Sequence, residues 1–274
     1  MASPRSLDLN GLHALVTGAA SGIGQATAIE LARRGARVSL VDIDARRVDD
    51  AARAITGARA FAVDVANATA VAALVRDAGP IDVLVSNAGV AVVAPFARTP
   101  PEEWDRLVAV NLGAAVTLTR AFLPSISARR GHIAYVASLA GLVGAPGMVA
   151  YSTSKFGLVG FAEALRLELA DTGVGITTIC PGYVKTNLHA ATRYDNEGFR
   201  RFLDAPPFWY GMTKERVAIE IADAIESRRP LLVLGPEKVG WWLKRVAPSA
   251  AFAVTRWVAK RTGVASRTEE CTSR

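Results

Sequence analysis

The chain has 274 residues, 32 Lys+Arg against 25 Asp+Glu, a net charge of +7 and 51% hydrophobic residues. This composition excludes a disordered or collagen-like chain and supplies enough apolar surface for the core of one α/β domain. Residues 1–227 carry 22 basic and 22 acidic side chains, so the 10 basic and 3 acidic residues of 228–274 supply the whole charge, and nucleic acid is not an expected partner of the main domain.

The N-terminal MASPRSLDLNG holds a single Arg and no apolar core, and is not read as a secretory signal. Two cysteines, Cys180 and Cys271, give neither a disulfide framework nor a metal-ligand spacing, so no metal and a reducing, cytoplasmic compartment are expected. Apolar strand-like runs at 12–17, 37–42, 59–63, 82–86, 132–137, 175–180 and 231–234 alternate with helical patterns at 23–34, 45–54, 67–77, 102–128, 150–171 and 213–227. That alternation predicts a parallel sheet covered by helices on both faces. Pro101 with Glu102 and Glu103 makes a good helix opening, because proline fits the first turn and carboxylates suit its positive end. The uncharged stretch 132–154 has the length of a membrane span, but Gly141, Gly144, Pro146 and Gly147 in its middle make it strand, loop and helix start. Residues 187–212 form the longest irregular connection and are read as a substrate lid. One catalytic domain, 1–235, and a helical extension, 236–274, are expected.

After the first predicted strand comes Thr17-Gly18-Ala19-Ala20-Ser21-Gly22-Ile23-Gly24, a turn opening a helix. Missing side chains let backbone approach a pyrophosphate, and the helix start offers free N–H donors and a positive dipole. The spacing is G-x-x-x-G-x-G, not the G-x-G-x-x-G of the general dinucleotide fingerprint. Glycines after a strand also serve tight turns; it is the strand-turn-helix context that favours a cofactor. Asp42 ends the second strand, 18 positions beyond Gly24, where the fingerprint expects an acid on the adenosine ribose. Its charge would repel a 2′-phosphate by roughly 1–4 kcal/mol. Ser21 and Ile43 supply no compensating cation, so NAD is expected over NADP, although Arg46 and Arg47 lie one turn further on. Asp64-Val65 and Asn87-Ala88-Gly89-Val90 fall at strand C-terminal ends, where an open α/β sheet binds its ligand.

Tyr151 and Lys155 stand four apart at the start of a predicted helix and project from one face. A nearby ammonium favours the phenolate and draws a tyrosine, whose ordinary pKa is roughly 10, toward neutral pH. The same pair on a surface helix would carry no chemistry. Here it follows a strand ending at Ser138, whose hydroxyl could hold a substrate oxygen at the same sheet edge.

Taken in order, Thr17-Gly18-x-x-x-Gly22-Ile23-Gly24, Asn87-Ala88-Gly89, Asn111, Ser138, Tyr151-x-x-x-Lys155 and Pro181-Gly182 resemble the short-chain dehydrogenase/reductase family over about residues 10–235. The resemblance implies a Rossmann-like doubly wound sheet of seven parallel strands in the order 3-2-1-4-5-6-7, and reversible hydride transfer between a nicotinamide and an alcohol or carbonyl. It implies that Tyr151 is the general acid/base and that Ser138 orients the substrate oxygen. Lys155 would bind the nicotinamide ribose and lower the tyrosine pKa, and Asn111 would hold a water linking Lys155 to solvent, a role compatible with pinning a helix kink. It places Asp64 and Val65 by the adenine, Asn87, Ala88 and Gly89 under the cofactor, and Pro181, Gly182, Val184 and Thr186 against the carboxamide. Cys180, His13, His132 and His189 receive no catalytic role. Family members associate through the helix near 156–170, so a homodimer or homotetramer is expected.

Val90, Leu139 and Met148, with Leu188, Phe202 and Trp209 of the lid, form the expected substrate pocket. Bulky apolar groups around one polar cluster fit a lipophilic secondary alcohol or ketone, such as a steroid, retinoid or long-chain alcohol; the same side chains would also serve to fold the lid onto the body. In the extension, Val239, Trp242, Leu243 and Val246 share a helical face, with Lys238, Lys244 and Arg245 on the other side. Residues 237–262 are read either as a peripheral membrane contact or as a helical hairpin over the substrate site or a subunit interface. An NADPH-dependent 3-oxoacyl-thioester reductase is the alternative enzyme, disfavoured by Asp42 and the tail. A non-catalytic nucleotide-binding or membrane-scaffold module is the alternative from another class, disfavoured by the set Asn111, Ser138, Tyr151 and Lys155.

Overall fold

The computed structural model describes residues 6–186, 192–194 and 211–261. Seven strands, β1 His13–Thr17, β2 Arg37–Asp42, β3 Arg59–Ala62, β4 Val83–Ser86, β5 His132–Val136, β6 Gly175–Pro181 and β7 Leu231–Leu234, pair in parallel in the order 3-2-1-4-5-6-7. Residues of β1, β4, β5 and β6 are buried throughout, as strands covered on both faces must be, while the edge strand β3 is partly exposed. Strand order reverses between β1 and β4, which opens a crevice at their C-terminal ends.

Helices α1 Gly22–Arg33, α2 Ala45–Arg53 and α6 Lys214–Glu226 cover one face, with Leu31, Val48, Val217 and Ile221 in a shared core. Arg34 ties α1 to α6 by pairing with Glu30, Asp223 and Glu226. The opposite face carries α3 Ala68–Ala78, α4 Pro101–Ala128 and α5 Val149–Glu168, packed through Leu74, Leu118, Phe122 and Leu158. Among the described residues α4 alone is long and apolar enough to cross a membrane. Its Leu107, Leu118, Phe122 and Ile126 are instead buried within the protein. At Ala109–Gly113 it widens into a single π turn around Asn111, the kink expected at that residue.

Two short parallel ladders have no counterpart in the apolar pattern: Val92–Val93 pairs with Arg193–Tyr194, and Val184–Lys185 with Met212–Thr213. Two-residue strands are too short to leave a periodic signal. Most of the expected lid, including Leu188, Phe202 and Trp209, lies outside the described residues. The extension forms α7 Lys238–Val246 and α8 Pro248–Arg261. Lys244 Nζ donates to the Leu142 carbonyl at 2.8 Å and sits 4.7 Å from the Phe156 ring centre, so α7 is seated on the body. Val239, Trp242 and Val246 of α7 remain exposed.

His132, on β5, is fully buried; its Nε2 meets Thr177 Oγ1 at 2.8 Å and its Nδ1 has no partner. Burial, and secondarily the charge of Arg228, lowers its pKa to about 3. The folded protein therefore holds this ring neutral, while the unfolded chain takes up a proton near the ordinary pKa of about 6.5. Stability from this residue is present above that value and is lost as pH falls toward 3, about 2 kcal/mol of it by pH 5. Urea denaturation at pH 7 and pH 5 should show His132→Gln losing about 2 kcal/mol less than the unaltered protein over that interval. Parallel pH dependences would refute the assignment.

Candidate active site

The turn between β1 and α1 is fixed by hydrogen bonds donated from the end of β4. The buried Thr17 hydroxyl accepts the N–H groups of Asn87 and Ala88, each at 3.0 Å. From the same side, the Asn87 amide donates to the carbonyls of Thr17 at 2.8 Å and Gly18 at 3.2 Å. Gly18 and Gly22 take positive φ values of 63° and 59°. A Cβ on Gly24 would overlap the Gly18 carbonyl and the Asn87 amide, so backbone crossing at this depth requires glycine. Asp42 accepts the Ala20 N–H at 3.0 Å and the Asp44 N–H at 3.2 Å, which sets its carboxylate beside the glycine turn. Ser21 stands at the N-cap of α1 in extended conformation and makes no capping bond with its side chain. The first N–H groups of α1 thus lack a side-chain cap. These residues fit a dinucleotide whose pyrophosphate meets a helix N-terminus.

The second half of the site sits at the ends of β5 and β6 and the start of α5. Ser138 follows β5, and its Oγ accepts the Ala140 N–H at 3.1 Å. Tyr151 and Lys155, in the first turns of α5, are both buried. Lys155 Nζ donates to the Val136 carbonyl at 2.9 Å and lies 5.8 Å from the centre of the Tyr151 ring. Burial raises the Tyr151 pKa, against which a hydrogen bond with Ser138 pulls downward. Burial also lowers Lys155 to about 8. The expected lowering of the tyrosine by the lysine is therefore not what this geometry gives: the ammonium faces the ring and a backbone carbonyl, and desolvation outweighs it. Cys180, on β6, is buried and its thiol is pushed up to about 12 by desolvation, consistent with a role in packing.

Asn111 bridges the two halves. Its Oδ1 accepts the Val90 N–H at 2.8 Å, and its Nδ2 donates to the Val90 carbonyl and to Ser154 Oγ, both at 3.0 Å. Ser154 in turn donates to the Tyr151 carbonyl at 2.8 Å. The π turn of α4 is thus pinned to the strand-end segment after β4 and to the catalytic helix. A Cβ on Gly89 would stand 3.2 Å from Asn111 Oδ1 and 3.5 Å from Lys155 Nζ, so those polar groups converge beneath Gly89.

Of the other expected residues, Ile43 is exposed beside Asp42, and Asp64 accepts the Ala66 N–H at 2.9 Å beyond β3. The side chains of Val65 and Val184 are buried in the two sheet-face cores. Thr186 lies against Gly22, bringing the segment after β6 onto the glycine turn. Val90 and Met148 pack with Tyr151, Ala91, Val92, Ala94 and Leu107 in a separate apolar cluster, and Leu139 is half-buried nearby in sequence to Ser138. Trp104 belongs to that cluster and was not foreseen, because its helical position gives no hint of what the π turn brings beside it. Thr17 was seen only as part of the turn, and Ser154 not at all; both act on partners distant in sequence.

A doubly wound sheet with a glycine cradle at its switch point, and a half-buried Ser138 with buried Tyr151 and Lys155 opposite, defines a Rossmann-like oxidoreductase fold. Residues 12–197 match the model of the short chain dehydrogenases, and the chain belongs to that family. It is 37% identical over 260 residues to the probable oxidoreductase EphD of Mycobacterium tuberculosis, covering 88% of this chain but only 44% of that protein, so it spans less than half of that relative's length. It is 34% identical to the ketoacyl reductase HetN of a Nostoc species, over 91% of this chain and 90% of that one. A short chain dehydrogenase/reductase from Burkholderia phymatum, solved in complex with NAD, superposes with a TM-score of 0.76 at 27% identity, over 91% of this chain and 93% of the other.

Thr17→Val keeps the side-chain volume but leaves the Asn87 and Ala88 N–H groups without their acceptor. The expected loss is about 2–4 kcal/mol in urea denaturation, with Thr17→Ser recovering most of it. If the valine variant is as stable as the unaltered protein, this bonding between β1 and β4 is not a stabilising clamp.

Proposed function

We propose that this chain is an NAD-dependent dehydrogenase and ketone reductase for lipophilic secondary alcohols, of the steroid, retinoid or long-chain alcohol kind. The observation that carries the reading is the buried Tyr151, near Ser138 and within an apolar cluster of Val90, Ala91, Val92, Ala94, Leu107 and Met148. An apolar wall around one polar pair suits an oil-soluble substrate with a single reacting oxygen.

When bound, the nicotinamide supplies or accepts the hydride. The chain's own residues manage the oxygen and its proton. Ser138 donates a hydrogen bond to the substrate oxygen and holds it against the Tyr151 hydroxyl. Tyr151, its pKa raised, keeps its proton at neutral pH and gives it to a carbonyl oxygen, or takes it back from the alcohol in the reverse direction. Lys155, with a pKa near 8, carries most of its charge at pH 7 and supplies positive potential beneath that oxygen. Asn111 and Ser154 hold α5 so that these groups stay in register. The glycine turn, Asp42, Asp64, Asn87 and the segment Pro181 to Thr186 are the residues assigned to the cofactor. The carboxylate of Asp42, fixed by two backbone N–H groups, supports NAD over NADP because it would meet a 2′-phosphate as a like charge. Similarity to HetN supports the alternative substrate, a 3-oxoacyl thioester, which the same proton machinery would serve.

Titration with NADH and NADPH, followed by an assay on ketones and hydroxy compounds, tests the reading. The unaltered protein should bind NADH at least tenfold more tightly; Tyr151→Phe should keep that binding and lose turnover by at least 100-fold. Undiminished turnover in the phenylalanine variant would remove Tyr151 as the acid/base, and tighter NADPH binding would overturn the reading of Asp42.

The extension supports a further element of this reading, peripheral contact with an anionic membrane. Residues 238–268 hold seven cations and no acid, and Val239, Trp242, Val246, Phe252 and Trp257 are exposed there. The full chain is expected to float with vesicles containing phosphatidylglycerol and not with pure phosphatidylcholine. A double variant, Trp242→Ser with Val246→Ser, should lose that flotation; unchanged flotation would exclude α7 as the contact.

A further inference from the structure

Glu237 is the single acid between Glu226 and Glu269, in the most basic part of the chain. It stands at the N-cap of α7 and uses no side-chain bond to cap that helix. After β7 the backbone turns at Gly235, with φ of 99°, and folds the Glu237 side chain back under the end of β6. There Oε1 accepts the Tyr183 N–H at 3.2 Å. Oε2 is buried against Gly182 and Gly235, where a Cβ on either residue would overlap it, and it has no hydrogen-bond partner. Burying a carboxylate oxygen without a partner is unfavourable and persists only when the surrounding contacts hold it there.

The residues it grips are those that lead across the cofactor cleft. The Gly182 N–H is bound by the Leu234 carbonyl at 2.8 Å and the next N–H, of Tyr183, by Glu237. The Tyr183 carbonyl then accepts the Met212 N–H at 3.0 Å, Val184 pairs with Met212, and Thr186 reaches Gly22 of the glycine turn. Two successive peptide groups at the root of this segment are thus set by the turn that starts the extension. On the other side of the cleft Lys244, two turns along α7, holds the Leu142 carbonyl of the loop between Ser138 and Tyr151. The extension is therefore attached to both walls of the site.

We infer that Glu237 is a positioning residue, which fixes the segment 182–186 by accepting the Tyr183 N–H and so joins the root of the extension to the cofactor wall. The inference rests on the proposed dinucleotide site. In the full chain, NADH affinity by fluorescence titration should fall about tenfold in Glu237→Ala, the worth of one lost buried hydrogen bond. Glu237→Gln keeps a carbonyl acceptor and should stay within about threefold of the unaltered protein. Amide hydrogen exchange supplies a readout without cofactor: residues 182–184 should exchange faster in Glu237→Ala and near normally in Glu237→Gln. Should the alanine variant not fold, Glu237→Asp, which withdraws the carboxylate by one methylene, should show the same faster exchange. Unchanged exchange at 182–184 in either shortened variant overturns the inference, and so does equal weakening by alanine and glutamine. Failure of the unaltered protein to bind NADH, with the exchange pattern as expected, would strike the dinucleotide reading and leave the positioning role intact.

Discussion

The organisation of this protein depends on how closely the ends of β1 and β4 can be brought together. Four hydrogen bonds cross the gap, all donated from the end of β4: the Asn87 and Ala88 N–H groups to the Thr17 hydroxyl, and the Asn87 amide to the Thr17 and Gly18 carbonyls. That closeness forces glycine at position 24, where any Cβ would strike the Gly18 carbonyl. It also sets the start of α1 directly over the point where strand order reverses. The crevice is a consequence of topology, but its depth is set by one hydroxyl and one amide.

Across the crevice the controlling physics is desolvation. Tyr151, Lys155 and Cys180 all lie in the protein interior, and each is pushed toward its neutral form. A buried phenol that retains its proton is a donor in waiting, and a lysine near pKa 8 keeps its charge at neutral pH. The polar partners provided are few and mostly backbone: the Val136 carbonyl for Lys155, Val90 for Asn111. Backbone partners cannot change rotamer, so the arrangement is held rigidly before any ligand enters.

The seven strands and the helices between them were legible because buried parallel strands read as apolar runs and the covering helices keep their own period. The glycine turn and the Tyr151–Lys155 pair on one helix were legible because each is local in sequence. What was not legible involves distance or depth. The role of Thr17 needs a partner 70 positions away, and that of Ser154 needs Asn111, 43 positions away. The direction of the Tyr151 shift was misread because a charge four residues off is visible in a sequence and burial is not.

The charge asymmetry takes its meaning from the same geometry. A neutral body and a tail of net positive charge would, without other constraints, leave the tail held only by weak and salt-screened forces. Three features act against that here: the peptide bond of Tyr183 on Glu237, the Leu142 carbonyl on Lys244, and the Phe156 ring beneath the same lysine. All three attachments fall within the first turns of the extension, while Val239, Trp242 and Val246 of α7 and Phe252 and Val254 of α8 are exposed. Glu237 at the root and Lys244 further along α7 therefore tie this part of the extension to the two walls of the cleft, and the exposed apolar residues of α7 lie outside those attachments.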